Sequence, residues 1–252
     1  MDKRSLFLSL VHILLSIVLF AQTKPASIWL DEKLNTAKKE NYLLPEEKEM
    51  IYEINRLRSN PARYAKLFIA EKLTEEKNNL AKYGKGDSSY SLTISYRNNV
   101  LYKTDTVWHF RILEAVNALQ TLYDTLMKLK PMSILLPNKN IYAACIKHEK
   151  DQRPTGNLDH RGTDGSWPND RIKKFAPEMS SGDENLGCRS KNSFPREVVL
   201  MHLIDSGIPG YGHRYNILHA GWTHVACKYV GELNDSCKWW IQNFGRLMIK
   251  YD

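Results

Sequence analysis

His160, Glu184 and His213 are the residues whose types and surroundings best suit them to chemistry. His160 lies in Asp159-His160-Arg161-Gly162-Thr163-Asp164-Gly165, and Glu184 in Gly182-Asp183-Glu184-Asn185-Leu186-Gly187. His213 follows the flexible run Gly207-Ile208-Pro209-Gly210-Tyr211-Gly212. An imidazole changes charge near neutral pH and can donate, accept or ligate through two distinct nitrogens. Two imidazoles and an acid, each flanked by glycine, suggest a polar site built on loops, with a strand-like run directly after His213. A hydrolase also needs a serine, a cysteine or an activated water beside a base. Ser180, Ser181 and Ser206 lie near these segments, but none stands in a nucleophile-elbow pattern. Cys188 is expected to be paired or buried rather than reactive.

The elements that must position these residues are helical first and stranded last. Pro45-Glu46-Glu47 reads as a helix start, with proline in the first turn and acids at the positive end of the dipole. Met50, Ile54 and Leu57 follow at helical spacing. Asn60-Pro61 interrupts, because a residue before proline avoids the helical region. A second short helix then runs through Tyr64, Leu67 and Phe68. Lys77 to Thr106 is polar and reads as an exposed insertion, with a short strand at Tyr90 to Tyr96. A strong helix is expected from Val107 to Lys130, and another from Pro137 to Gln152 with Ile141, Ala144, Cys145 and His148 on one stripe. Pro154 to Pro168 is loop. Short helices begin at Asn169 and at Pro195. Trp222 to Val230 and Lys238 to Leu247 read as two strands joined by a turn at Gly231 to Ser236. Helices followed by a terminal hairpin favour an α+β domain.

The chain opens with Met1-Asp2-Lys3-Arg4 and an apolar run from Leu6 to Phe20, ending at Ala21. This is the pattern of a cleaved secretory signal, 1–21, and the run is shorter than the roughly 20 apolar residues of a spanning helix. No later segment reads as membrane-spanning. Residues 22–44 read as a linker with a short helix around Asp31 to Glu40, and 45–252 as one domain. The net charge of +8 is scattered rather than gathered into a stripe with aromatics. That pattern argues against nucleic acid and is compatible with a general attraction to anionic envelope surfaces. Cys145, Cys188, Cys227 and Cys237 allow three full pairings, and the spacing does not choose among them.

Six motifs in order carry a family resemblance. They are Asn55-x-x-Arg58 with Asn60-Pro61-x-x-Tyr64-Ala65; Ala143-Ala144-x-x-x-His148-x-x-Asp151; His160-x-Gly162-x-Asp164-Gly165 with Asp170-Arg171-Ile172; Glu184-Asn185-Leu186; Gly212-His213-Arg214-x-Asn216-Ile217-Leu218; and Trp240-Ile241-Gln242-x-Phe244. The set resembles the CAP superfamily, also called SCP or TAPS, of cysteine-rich secretory, antigen 5 and pathogenesis-related proteins. The resemblance spans Pro45 to the C-terminus, with 77–106 as an insertion. It implies an α-β-α sandwich, an antiparallel sheet between helical layers, and a central cleft holding His160, Glu184, Asp205 and His213.

Asp205 takes the place of the family's second acid, with Glu197 as the competing candidate. Asp183 stands where glycine is usual, which leaves the backbone path there open. Neutral imidazoles with a carboxylate suit a divalent metal such as zinc, with His160 and His213 as ligands. The metal-free alternative is a hydrogen-bonded network in which each carboxylate fixes a tautomer. Of the other histidines, His148 and His202 read as packed polar contacts. His219 and His224 read as exposed, and His109 as a residue of the long helix. The resemblance implies a secreted or envelope-located, non-enzymatic module that binds a small ligand, lipid, envelope component or protein. The alternative is a metal-assisted hydrolase with Glu184 as base.

Overall fold

Pro45 and the acids behind it do start a helix, α1 (Pro45–Ser59), and Glu47 accepts a hydrogen bond from the Leu44 amide at 2.8 Å. Asn60 ends it and caps the next, accepting from the Arg63 amide at 3.0 Å ahead of α2 (Pro61–Tyr64). A π-helical turn (Ala65–Ile69) leads into α3 (Ala70–Tyr83). The computed structural model describes residues 29–97, 100–156, 158–189, 193–232 and 238–249. The proposed leader, Cys237 and most of the expected 231–236 turn lie outside them. The chain divides into two units, Met1–Asp31 and Glu32–Asp252, and the second holds every described helix and strand.

Residues 32–44, read as linker, are anchored within that unit. Leu34, Ala37 and Leu43 are buried, and the Thr36 hydroxyl donates to the Leu135 carbonyl at 2.8 Å. In the 77–106 stretch, the short strand expected at Tyr90 to Tyr96 is present, within a longer paired strand. The first part of the stretch completes α3, and β1 (Ser88–Arg97) then pairs antiparallel with β2 (Val100–Phe110). The helix expected from Val107 therefore begins later, as α4 (Arg111–Lys128). Val107, Trp108, His109 and Phe110 are β-branched or aromatic, and each is paired across the hairpin, so strand pairing overrides helical periodicity.

The remaining elements are β3 (Leu136–Pro137), α5 (Lys139–Gln152), α6 (Pro168–Phe175), β4 (Met179–Arg189), α7 (Pro195–Ile204), α8 (Gly212–Leu218), β5 (His224–Glu232) and β6 (Lys238–Leu247). The main sheet has the order β3-β5-β6-β4, parallel only between β3 and β5. Trp240, Ile241, Gln242, Asn243 and Phe244 are all buried. Successive strand residues point to opposite faces, so both faces of β6 are covered. α5 and α6 pack on each other and on β4, β5 and β6, while α1, α7 and α8 form the other layer. This is the α-β-α sandwich of an α+β domain.

β4 is an edge strand, and that places the site. Side chains take several of its outer backbone groups. Asn169 accepts from the Gly182 amide at 3.0 Å, and Asn216 donates to the Glu184 carbonyl at 3.3 Å. Such covering prevents unwanted pairing at an open edge.

Candidate functional site

Strand alternation sends Glu184 and Asn185 to opposite faces of β4. Glu184 turns to the α5–α6 layer. Arg171 of α6 donates to both of its oxygens, at 3.0 and 3.1 Å, and its Oε1 accepts from the His160 Nδ1 at 3.1 Å. His148 of α5 stands 3.8 Å away on the same carboxylate. Asn185 turns to the α7–α8 layer, where its amide donates to the His213 carbonyl at 3.1 Å and its oxygen accepts from Asn216 at 2.9 Å. The Glu184-Asn185 dipeptide thus joins the two histidine segments around one strand edge.

Asp205 holds the second histidine. It ends α7 with φ 53°, a left-handed conformation that a short polar side chain tolerates. From there its Oδ1 accepts from the His213 Nδ1 at 2.7 Å and its Oδ2 from the His213 amide at 3.0 Å. Glu197, the competing acid, caps its own helix by accepting from the Phe194 amide. Arg214 secures the segment between them. It donates to the carbonyls of Leu203, Ile204 and Ala118 at 2.6, 2.7 and 2.9 Å, and its guanidinium lies 3.9 Å from the Tyr211 ring centroid. Arg58 does the same at the other end of α8, donating to the carbonyls of Ile217 and His219 at 2.9 and 3.0 Å.

The expectation of a site built on loops holds for His160 alone. Glu184 sits in mid-strand, and His213 is in the first turn of α8, so a helix, not a strand, follows it. The irregular glycine lies one place early. At Gly182 a Cβ would come 2.6 Å from Ile172 and 2.8 Å from the Phe244 carbonyl, so Asp183 sits on an ordinary strand path. His160, Asp183, Glu184, Asn185, His213 and Asn216 line one cleft of about 700 Å³, with Trp167 and Tyr215. Asp205 is not on its wall; it lines, with His213, a second pocket of about 390 Å³ whose other walls include Leu186, Leu200, Met201 and Ile204.

Carboxylates only accept, so each histidine donates from Nδ1 and keeps Nε2 as its remaining polar atom. The hydrogen bond to Glu184 raises the His160 pKa, against the opposing effect of burial. Burial lowers the pKa of His148, whose Nε2 donates to the Asp159 carbonyl at 2.8 Å. His202 is buried, stacks on His213 at 4.9 Å between centroids, and is pushed down to about 4 by burial and then by His213. His148 and His202 are thus packed, as expected. His219 and His224 are half-buried rather than exposed. His109 lies on β2, not in the helix, and bonds Glu114 at 2.7 Å.

The metal reading meets a shortage of donors. Glu184 is already engaged by Arg171 and His160, and Asp205 by the His213 ring and amide. Among the described residues, no three His, Cys, Asp or Glu side chains gather as a metal set. The two Nε2 atoms fall short of the three or four protein ligands that zinc usually takes, so no step is assigned to a metal. Arg171 belongs to one of the six motifs, but the motif does not show that it binds Glu184. Glu184 is buried, and a charge in the interior requires a partner, which Arg171 supplies.

The sequence profile of the CAP, or cysteine-rich secretory protein, family matches residues 52–244, a span that holds His160, Glu184, Asp205 and His213. Among solved structures, the chain is similar to an outer surface protein of Borrelia burgdorferi at 15% identity. That match covers 52% of this chain and 94% of that one, with a TM-score of 0.39. It is also similar to an extracellular protein containing a SCP domain from Bacillus anthracis str. Ames, at 13% identity over 68% of this chain and 71% of that one, with a TM-score of 0.37. No curated protein matches it significantly.

Proposed function

The chain belongs to the CAP, or cysteine-rich secretory protein, family, and on that premise we propose that it is an exported module whose histidine cleft binds a ligand without transforming it. The observation that carries this reading is that the site's acids are already engaged. Glu184 would be the base of a hydrolase, yet both its oxygens accept from Arg171 and one also from His160. Asp205 is likewise spent on His213. No serine, threonine or cysteine is among the described residues lining the cleft. What the cleft offers is a set of fixed polar atoms at a covered strand edge, which is the composition of a recognition site.

Export rests on the leader pattern of residues 1–21 and on Cys188, which is disulfide-bonded, as in oxidising compartments. Among the described residues no helix is long and apolar enough to cross a membrane. The ligand is a small molecule, an envelope component or a partner protein. The test is equilibrium binding of the purified protein to fractionated envelope extract, alongside His160→Ala and His213→Ala and with metal analysis. Saturable binding lost in the variants supports the reading. Stoichiometric metal with a hydrolytic activity that the same variants abolish would contradict it.

A further inference from the structure

We propose that the cleft between His160 and His213 takes a neutral, pyranose-based oligosaccharide. This names the ligand class for the binding reading above and rests on it. Two aromatic rings line the cleft without serving the core. Trp167, which precedes α6, is 54% exposed, and Tyr215 on α8 is 62% exposed. Their backbones are fixed. The Trp167 amide donates to Asp170 at 3.0 Å, and Tyr215 sits on the helix that Arg58 and Arg214 tie down, its ring 5.3 Å from that of His219. Large rings left in water on fixed backbone contribute little to folding, and they provide flat apolar surfaces beside a polar floor.

The floor selects among ligands. The cleft-lining residues include His160, His213, Asp183 and Asn185, but no lysine or arginine. An anionic ligand would meet the exposed Asp183 carboxylate with no lysine or arginine on the cleft wall to offset it, the buried Arg171 being paired with Glu184. An apolar ligand is better served by the neighbouring pocket walled by Leu186, Leu200, Met201 and Ile204. A pyranose matches both features of the cleft. Its C–H face stacks on an aromatic ring, while its equatorial hydroxyls reach sideways to acceptors and donors such as the two imidazole Nε2 atoms and the Asp183 carboxylate. A volume of about 700 Å³ admits more than one ring.

The experiment is calorimetric titration of the protein with maltohexaose, cellohexaose and chitohexaose, with heparin as the anionic control, repeated on Trp167→Ala, Trp167→Phe and Tyr215→Ala. At least one neutral hexasaccharide should bind. Loss of a ring should weaken it by roughly threefold to tenfold, and Trp167→Phe should retain most of the affinity. The Tyr215→Ala variant keeps the test decisive if Trp167→Ala unfolds. The proposal is overturned if no neutral sugar binds at millimolar concentration, if heparin alone binds, or if sugar binding ignores both rings. Should envelope extract still bind in a His213-dependent way while all three sugars fail, the sugar class falls and the cleft reading stands.

Discussion

At the residue scale, burial and hydrogen bonding shift two of the histidines around the cleft in opposite directions. An unfolded histidine titrates near 6.5, whereas folded His202 does so at about 4. Between those values the unfolded chain binds a proton that the folded chain does not. The neutral ring's contribution is therefore complete above pH 6.5 and lost as the pH falls through 4. It amounts to roughly 3 kcal/mol. Urea unfolding at pH 7 and pH 4 should show that His202→Phe loses less stability on acidification than the wild type; equal losses would contradict it. His160 works in the opposite direction, because Glu184 raises its pKa. Its contribution is present below 6.5 and fades as the pH rises through the raised value. Glu184→Gln should cost about 3–5 kcal/mol in the same assay, because Arg171 keeps its buried charge and loses its carboxylate. Pairing the change with Arg171→Met should recover part of that. His160, Glu184 and His213 were legible because glycine and histidine stand out against loops and strands. Arg171 and Arg214 were not, because the sequence does not say which carbonyls or carboxylates lie opposite an arginine.

At the element scale, the helices that begin at a proline were legible: α1, α2, α6 and α7 each carry proline in the first turn. The terminal strands were legible too. Gly182 and Gly187 show why the middle strand was not. Both are required by close approach, to Ile172 and the Phe244 carbonyl in one case and to His202 in the other, and such contacts leave no local signature. The β1–β2 hairpin was legible only in part: Tyr90, Leu92, Ile94 and Tyr96 alternate along β1, whereas β2 carries Lys103, Thr104 and Asp105 in its middle and runs directly into the helical period that follows. The two strands pack chiefly on each other and otherwise touch mainly α4. Ser88 and Phe110 are paired, so a short turn can bridge the two ends. Replacing 89–109 with such a turn should leave the melting temperature within a few degrees and the near-ultraviolet circular dichroism unchanged. Loss of cooperative unfolding would show that the hairpin supports the sandwich.

At the scale of the whole molecule, the sandwich buries two free thiols, while Cys188 is held in a disulfide. Cys145 and Cys227 are free and buried, and burial pushes both thiols well above their usual pKa. Neither should react with a thiol reagent in the native protein, and both should react once it is unfolded; native labelling of either would contradict the packing around α5 and β5. The α+β class followed from the order of the elements, and the helical layer on each face of the sheet from the family resemblance; the buried run Trp240 to Phe244 on β6 accounts for both layers physically. The central claim is that two carboxylates, on opposite sides of one strand edge, hold two imidazoles by Nδ1 and leave both Nε2 atoms for a ligand. The most direct measurement is the nitrogen-15 spectrum of the histidine rings at a pH where they are neutral, before and after addition of a bound ligand. The expected result is Nδ1-protonated neutral rings for His160 and His213, with both Nε2 resonances moving together on binding. Rings protonated at Nε2, or a ligand that leaves both Nε2 resonances in place, would contradict it.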